Sequence, residues 1–92
     1  MKKAQQYNRA WEAVENELIR GQNLWLRSKL QSRIVAKLTA GTLTQAKMAA
    51  LLNITQPRVC ALLQGKVEQF RLDSLVDIAH RLGLSISLEV EP

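Results

Sequence analysis

The chain has 92 residues, 47% of them apolar and 4% aromatic, with 13 lysines and arginines against 8 carboxylates and a formal net charge of +5. A single domain of this size buries only roughly 60% of its unfolded surface on folding, so a thin core and help from a second subunit are expected. One cysteine and one histidine exclude a disulfide framework and a multi-thiolate or histidine-rich metal site. No run approaches the ~20 apolar residues of a membrane helix, and the opening MKKAQQYNRAW lacks the apolar stretch of a signal peptide; the expectation is a soluble, cytoplasmic protein.

In chain order, Tyr7, Trp11, Val14 and Leu18 recur at helical spacing and predict a helix from about Ala4 to Arg20, with Gly21 as its stop. Leu26, Leu30, Ile34 and Leu38 form a four-residue ladder, with Leu24 and Val35 beside it, predicting a second helix from about Gln22 to Ala40. Two short helices follow. Thr44 can cap the first, Gln45 to Leu52, with Met48, Ala49, Leu51 and Leu52 facing inward. Asn53 stands where the chain must turn. Thr55 can cap the second, Gln56 to Gln64, in which Pro57 is tolerated because the first helical turn has no intrahelical partner for its N–H groups. Gly65 ends it. After Phe70, a stripe of Leu72, Leu75, Val76, Ala79 and Leu82 predicts a further helix closed by Gly83. Finally Leu84, Ile86, Leu88 and Val90 alternate with Ser85, Ser87, Glu89 and Glu91, the period of a strand. A lone strand must find a partner for its backbone groups, so pairing with the same strand of a second copy, or with an edge strand of another protein, is expected.

The charge is unevenly distributed. Residues 22–66 carry seven basic side chains (Arg27, Lys29, Arg33, Lys37, Lys47, Arg58 and Lys66) and no acid, whereas residues 67–92 carry two basic groups and five acids. A stretch whose cations lack nearby carboxylates projects a positive field suited to a polyanion.

The segment QAKMAALLNITQPRVCALLQGK, Gln45 to Lys66, lies inside that stretch. It resembles a helix-turn-helix of the Xre or phage-repressor type. Ala49 takes the small position where the two helices approach, and Asn53 takes the turn position usually held by glycine. Ile54, Val59 and Leu62 fill the apolar positions that hold the second helix on the first. The resemblance implies a mainly α, lambda-repressor-like helix-turn-helix bundle, here with one C-terminal β-strand paired across a dimer. The implied organisation is an N-terminal helical arm (1–21), a DNA-binding domain (22–83) and a dimerisation strand (84–92). It also implies that the second motif helix enters the major groove. Gln56 would then read a base, since its amide matches adenine N6 and N7, while Pro57, Cys60 and Ala61 would offer small or apolar surface to the groove. Thr44, Gln45, Thr55, Arg58, Gln64 and Lys66 would hold phosphates, and Arg33, Lys37 and Lys47 would either extend the basic face or remain solvated.

From Trp11 onward, WEAVE, LRSKLQSRIVAKL and LTQAKMAALLNITQPRVCALLQGKVEQFRLDSLVDIAHRLGLSISLEV are similar to antitoxins of the HigA type. That likeness implies a homodimeric repressor of its own operon on a palindromic double-stranded operator, and neutralisation of a RelE/HigB-like ribonuclease toxin. A stand-alone Xre-type or prophage-derived regulator with no toxin partner remains open. The segment bearing Tyr7, Trp11, Val14 and Leu18 either contacts the toxin or packs on its own core or dimer mate. Dimerisation is expected through Leu84, Ile86, Leu88 and Val90. Cys60 reads as a small filler, Trp11 and Trp25 as packing anchors, and His80 has no assignable constellation. No Gly-rich phosphate loop, paired catalytic carboxylates or nucleophile-and-base pattern occurs, so neither enzymatic activity nor a cofactor or metal is expected.

Overall fold

A computed structural model describes residues 9–92, which form four α-helices and one short 3₁₀ turn. Helix α1 spans Arg9–Thr39, α2 Gln45–Leu52, α3 Gln56–Leu63 and α4 Leu72–Arg81, with the 3₁₀ turn at Val67–Gln69 between α3 and α4. Tyr7 and the expected helix start at Ala4 lie outside the described residues.

The expected break at Gly21 is absent: α1 is one helix of 31 residues that runs through it. An interior glycine costs a helix about 1 kcal/mol relative to alanine, too little to end one between good helix formers. The nearby candidate for a new cap, Asn23, is otherwise engaged, its Oδ1 accepting from Arg27 Nε at 2.6 Å.

Only the C-terminal half of α1 belongs to the core. Ile34 and Leu38 are buried there against Met48, Ala49 and Leu52 of α2, Val59, Ala61 and Leu62 of α3, Phe70, and Leu75, Ile78 and Ala79 of α4. Fully burying a side chain such as Leu62 or Leu75 contributes about 1.5–3 kcal/mol, and these residues hold the short helices, each too short to persist alone in water. Three apolar positions expected inside are turned outward. Leu51 is 44% exposed, Val76 is similar and Leu26 is only slightly more covered. Each neighbours a more deeply placed residue, and one helical stripe cannot turn both inward. Ile78, which the stripe reading passed over, is buried instead of Val76. Trp25 does not anchor the domain either: it is exposed, on the side of α1 opposite Ile34, and the side chain of Trp11 lies outside the described residues.

Two polar side chains brace the bundle. Gln31 is buried, and its Nε2 donates to the Leu62 carbonyl at 2.7 Å, a second partner for an acceptor at the end of α3 that also takes the Gly65 N–H at 3.1 Å. Arg27 Nη1 donates to the Phe70 carbonyl at 3.1 Å, tying α1 to the segment before α4. Arg27 is therefore spent on the fold.

The strand expected over the last residues is not formed. Residues 84–92 carry no regular secondary structure, and no strand occurs among the described residues. The Leu84 N–H bonds the Ala79 carbonyl at 3.0 Å, and its side chain packs on the core. Beyond it Ile86, Leu88 and Val90 are exposed. Alternation supplies a face, but a strand also requires a ladder, and the helical domain offers no edge to build one.

Candidate nucleic-acid interface

Helices α2 and α3 are joined by Asn53, Ile54 and Thr55 alone. Asn53 adopts the left-handed conformation, φ 57° and ψ 45°, the sole non-glycine with positive φ among the described residues. Asparagine tolerates this conformation better than other side chains, because its short amide can satisfy local polar groups. The turn closes with the Ile54 N–H on the Ala49 carbonyl at 3.1 Å. Ile54 is half-buried, and Val59 and Leu62 are fully buried, as the sequence predicts.

Both short helices begin with a working cap. Thr44 Oγ1 accepts from the Lys47 N–H at 3.2 Å, and Thr55 Oγ1 accepts from the Arg58 N–H at 3.3 Å. Each hydroxyl keeps its own proton for donation outward. Neither helix has an acid in its first turn, so the partial positive charge of both N-termini is left uncompensated and favours an anion. Thr44, Gln45, Thr55 and Gln56 are all exposed around these two ends. The two ion pairs among the described residues, Arg71–Asp73 and Arg81–Asp77, lie in α4 and just before it, away from the acid-free stretch.

On α3, Gln56 and Cys60, with the capping Gln64 continuing at the same four-residue spacing, share one side with Pro57 beside them. Gln56, Pro57 and Gln64 are exposed and Cys60 is half-buried. Ala61 does not join them. It is 8% exposed and packed in the core, because a position five after Gln56 lies about 140° around the helix from it, next to the buried Leu62. It is a packing residue, which corrects its expected place in the groove.

Arg58 is more constrained than expected. Its guanidinium stacks 4.3 Å from the centre of the Phe70 ring, and Nη1 donates to the Gln69 carbonyl at 3.5 Å. It thus covers a buried aromatic while keeping its charge near the start of α3. Lys66, Lys47, Arg33 and Lys37 are exposed. Gln31 and Phe70, which respectively brace the end of α3 and anchor Arg58, carried no signal in the sequence; a lone glutamine on a helix is indistinguishable from a solvated one until its partner is known.

Two capped helices crossing over a three-residue turn, the second presenting amides from its free N-terminal half, define the helix-turn-helix class of DNA-binding domain. The chain matches the family profile of a helix-turn-helix domain over residues 14–91, and it belongs to that family. A solved structure, of a protein assigned to the XRE family of transcriptional regulators, superposes with a TM-score of 0.73 at 26% identity, covering 79% of this chain and 82% of that one. No curated protein matches the chain. The fold is thus an XRE-like helix-turn-helix, and no helix among the described residues is long and apolar enough to cross a membrane.

Proposed function

We propose that the protein is a sequence-specific transcriptional repressor that binds a palindromic operator as a homodimer, with α3 in the major groove of each half-site. The observation that carries this reading is the pair of uncompensated helix N-termini, on two helices joined by the Asn53 turn within a stretch of sequence without carboxylates. Gln56 pairs with adenine N6 and N7, and Pro57 and Cys60 allow close approach, suited to a thymine methyl. Thr44, Gln45, Thr55, Gln64 and Lys66 hold phosphates and set register, and Arg58 adds its charge from the ring of Phe70. The resemblance of the solved XRE regulator supports a role in transcription.

The finer role we assign is that of an antitoxin which represses its own operon and neutralises a RelE/HigB-like ribonuclease toxin. Its support is the run of sequence from Trp11 onward that resembles HigA-type antitoxins. A regulator without a toxin partner uses the same DNA surface. Co-expression with the product of the adjacent gene separates the two: an antitoxin rescues growth and co-purifies with that product.

The DNA reading is tested by fluorescence anisotropy, titrating the region upstream of the gene and a random duplex at several salt concentrations. Log affinity should fall linearly with log salt at about −0.9 per phosphate contact. Gln56→Ala should cost about 1–3 kcal/mol on the cognate duplex and little on the random one. Equal losses on both duplexes would remove Gln56 from base readout.

A further inference from the structure

We propose that the outward face of α1 is the dimerisation surface, on which a second copy lays its own α1 antiparallel about a twofold axis near Gly21. The proposal deepens the operator reading above and rests on it only for its consequence on DNA.

Helix α1 has two apolar faces. At about 100° per residue, Leu18 and Trp25 fall within about 20° of one another, and Ile34 lies about 160° from Leu18 on the opposite side. The Ile34 side is buried in the domain, whereas Leu18 and Trp25 are 67% and 58% exposed. Positions 18, 21 and 25 along the outward side are spaced three and four, the seam of a helix that packs on another helix.

Gly21 sits in the middle of this seam without a reason inside its own chain. It lacks a positive φ, and a Cβ built there would meet nothing within 4 Å. It still carries glycine's cost of about 1 kcal/mol to the helix. A glycine on a helix–helix seam lets two backbones approach and makes room for a bulky neighbour, here Trp25 of the second copy.

Charge identifies the occupant and its direction. Before Gly21 the helix carries Glu12, Glu15 and Glu17 against Arg9 and Arg20, three acids to two bases; after it come Arg27, Lys29, Arg33 and Lys37 and no acid. Antiparallel copies crossing between Gly21 and Gln22 lay the net-acidic half of each helix along the basic half of the other, with position 15, about 60° from Leu18 around the helix, beside position 29 of the other copy, about 20° from Leu18 on the same side. Parallel copies would set acid on acid and base on base. The seam is thus complementary to itself in one orientation.

The arrangement also bears on the operator. Ile34 anchors the domain about 12 residues from the axis, which at 1.5 Å per residue is about 18 Å. The two domains therefore stand about 36 Å apart along the helix direction alone, close to the one DNA turn, about 34 Å, that separates half-site centres.

Sedimentation equilibrium without DNA tests the proposal, with a dimer expected at micromolar concentration. Gly21→Lys sets like charges on the axis while improving helix propensity, so the dimer should weaken by at least about tenfold as the helical circular dichroism holds or rises. Glu15→Lys should weaken it by about fivefold, and adding Lys29→Glu should restore it. These positions are too far apart within one helix to meet, so restoration reports contact between copies. In a Cys60→Ser background, Leu18→Cys mixed with Trp25→Cys should form a disulfide-linked heterodimer. A monomeric parent chain, a dimer indifferent to Gly21→Lys, or a dimer lost on removing residues 85–92 overturns the proposal. A chain that dimerises as described but shows no preference for its upstream DNA overturns the operator reading and leaves this one standing.

Discussion

Asn53 and Gly21 both permit a left-handed backbone, yet only Asn53 turns the chain. The difference lies in what surrounds each residue. Beyond Asn53, Ile54 packs against the core and Thr55 caps the next helix, so leaving the helix gains a hydrophobic contact and a capping hydrogen bond. Beyond Gly21 the chain gains nothing by leaving. Asn23 is held by Arg27, and the following residues continue into the stripe that packs Ile34 and Leu38 in the core. A permissive residue is an opportunity to turn; a cap and a buried side chain on the far side decide whether it is taken.

The largest test of that comparison removes the apolar contact which the turn makes possible. Leu62 is fully buried and accepts the Gln31 hydrogen bond through its carbonyl. Leu62→Ala should cost about 2–5 kcal/mol through lost burial and the cavity left behind. For a domain whose whole stability is of order 5–10 kcal/mol, the thermal midpoint by circular dichroism should drop steeply and cooperative unfolding become shallow. A loss below about 1 kcal/mol would mean that α3 is not held by this contact. The turn itself comes next. Asn53→Val forces a branched side chain into φ 57° and should cost about 1–2 kcal/mol, whereas Asn53→Gly, at home in that conformation, should be close to neutral. Equal losses in the two variants would show that the amide of Asn53, not its backbone conformation, matters.

The same contrast explains which parts of the fold could be read in the sequence. Over residues 44–66 the signals are local and agree: two threonine caps, an asparagine turn, a proline in a first turn and a glycine stop each act within four residues of where they stand. The bounds of α2 follow from them directly, and α3 ends one residue early because Gln64 serves as its cap. Elsewhere the outcome depends on partners distant in sequence. Whether Gly21 interrupts α1 depends on what packs further along that helix, and whether Leu84 and its successors form a strand depends on an edge that the domain lacks. The same limit applies within the site. Gln56 and Pro57 could be placed at the free end of α3 from the cap alone, but Ala61 could be placed in the core only once the crossing of α2 and α3 was fixed. Arg58 reads as a free cation until the 3₁₀ turn after α3 brings Phe70 back beneath it.

The smallest effect has the opposite sign. Gly21→Ala, measured by circular dichroism at dilutions where the chain is monomeric, should stabilise α1 by up to about 1 kcal/mol, since the added methyl meets nothing within 4 Å and alanine restricts the unfolded chain. Asn53→Ala should lose a comparable amount, because alanine is strained where φ is positive. One replacement residue thus strengthens the helix at the site where the chain runs straight and weakens the fold where it turns. If Gly21→Ala were destabilising in the monomer, the backbone at Gly21 would be bent in solution, and the continuous outward seam of α1 would have to be redrawn around that bend.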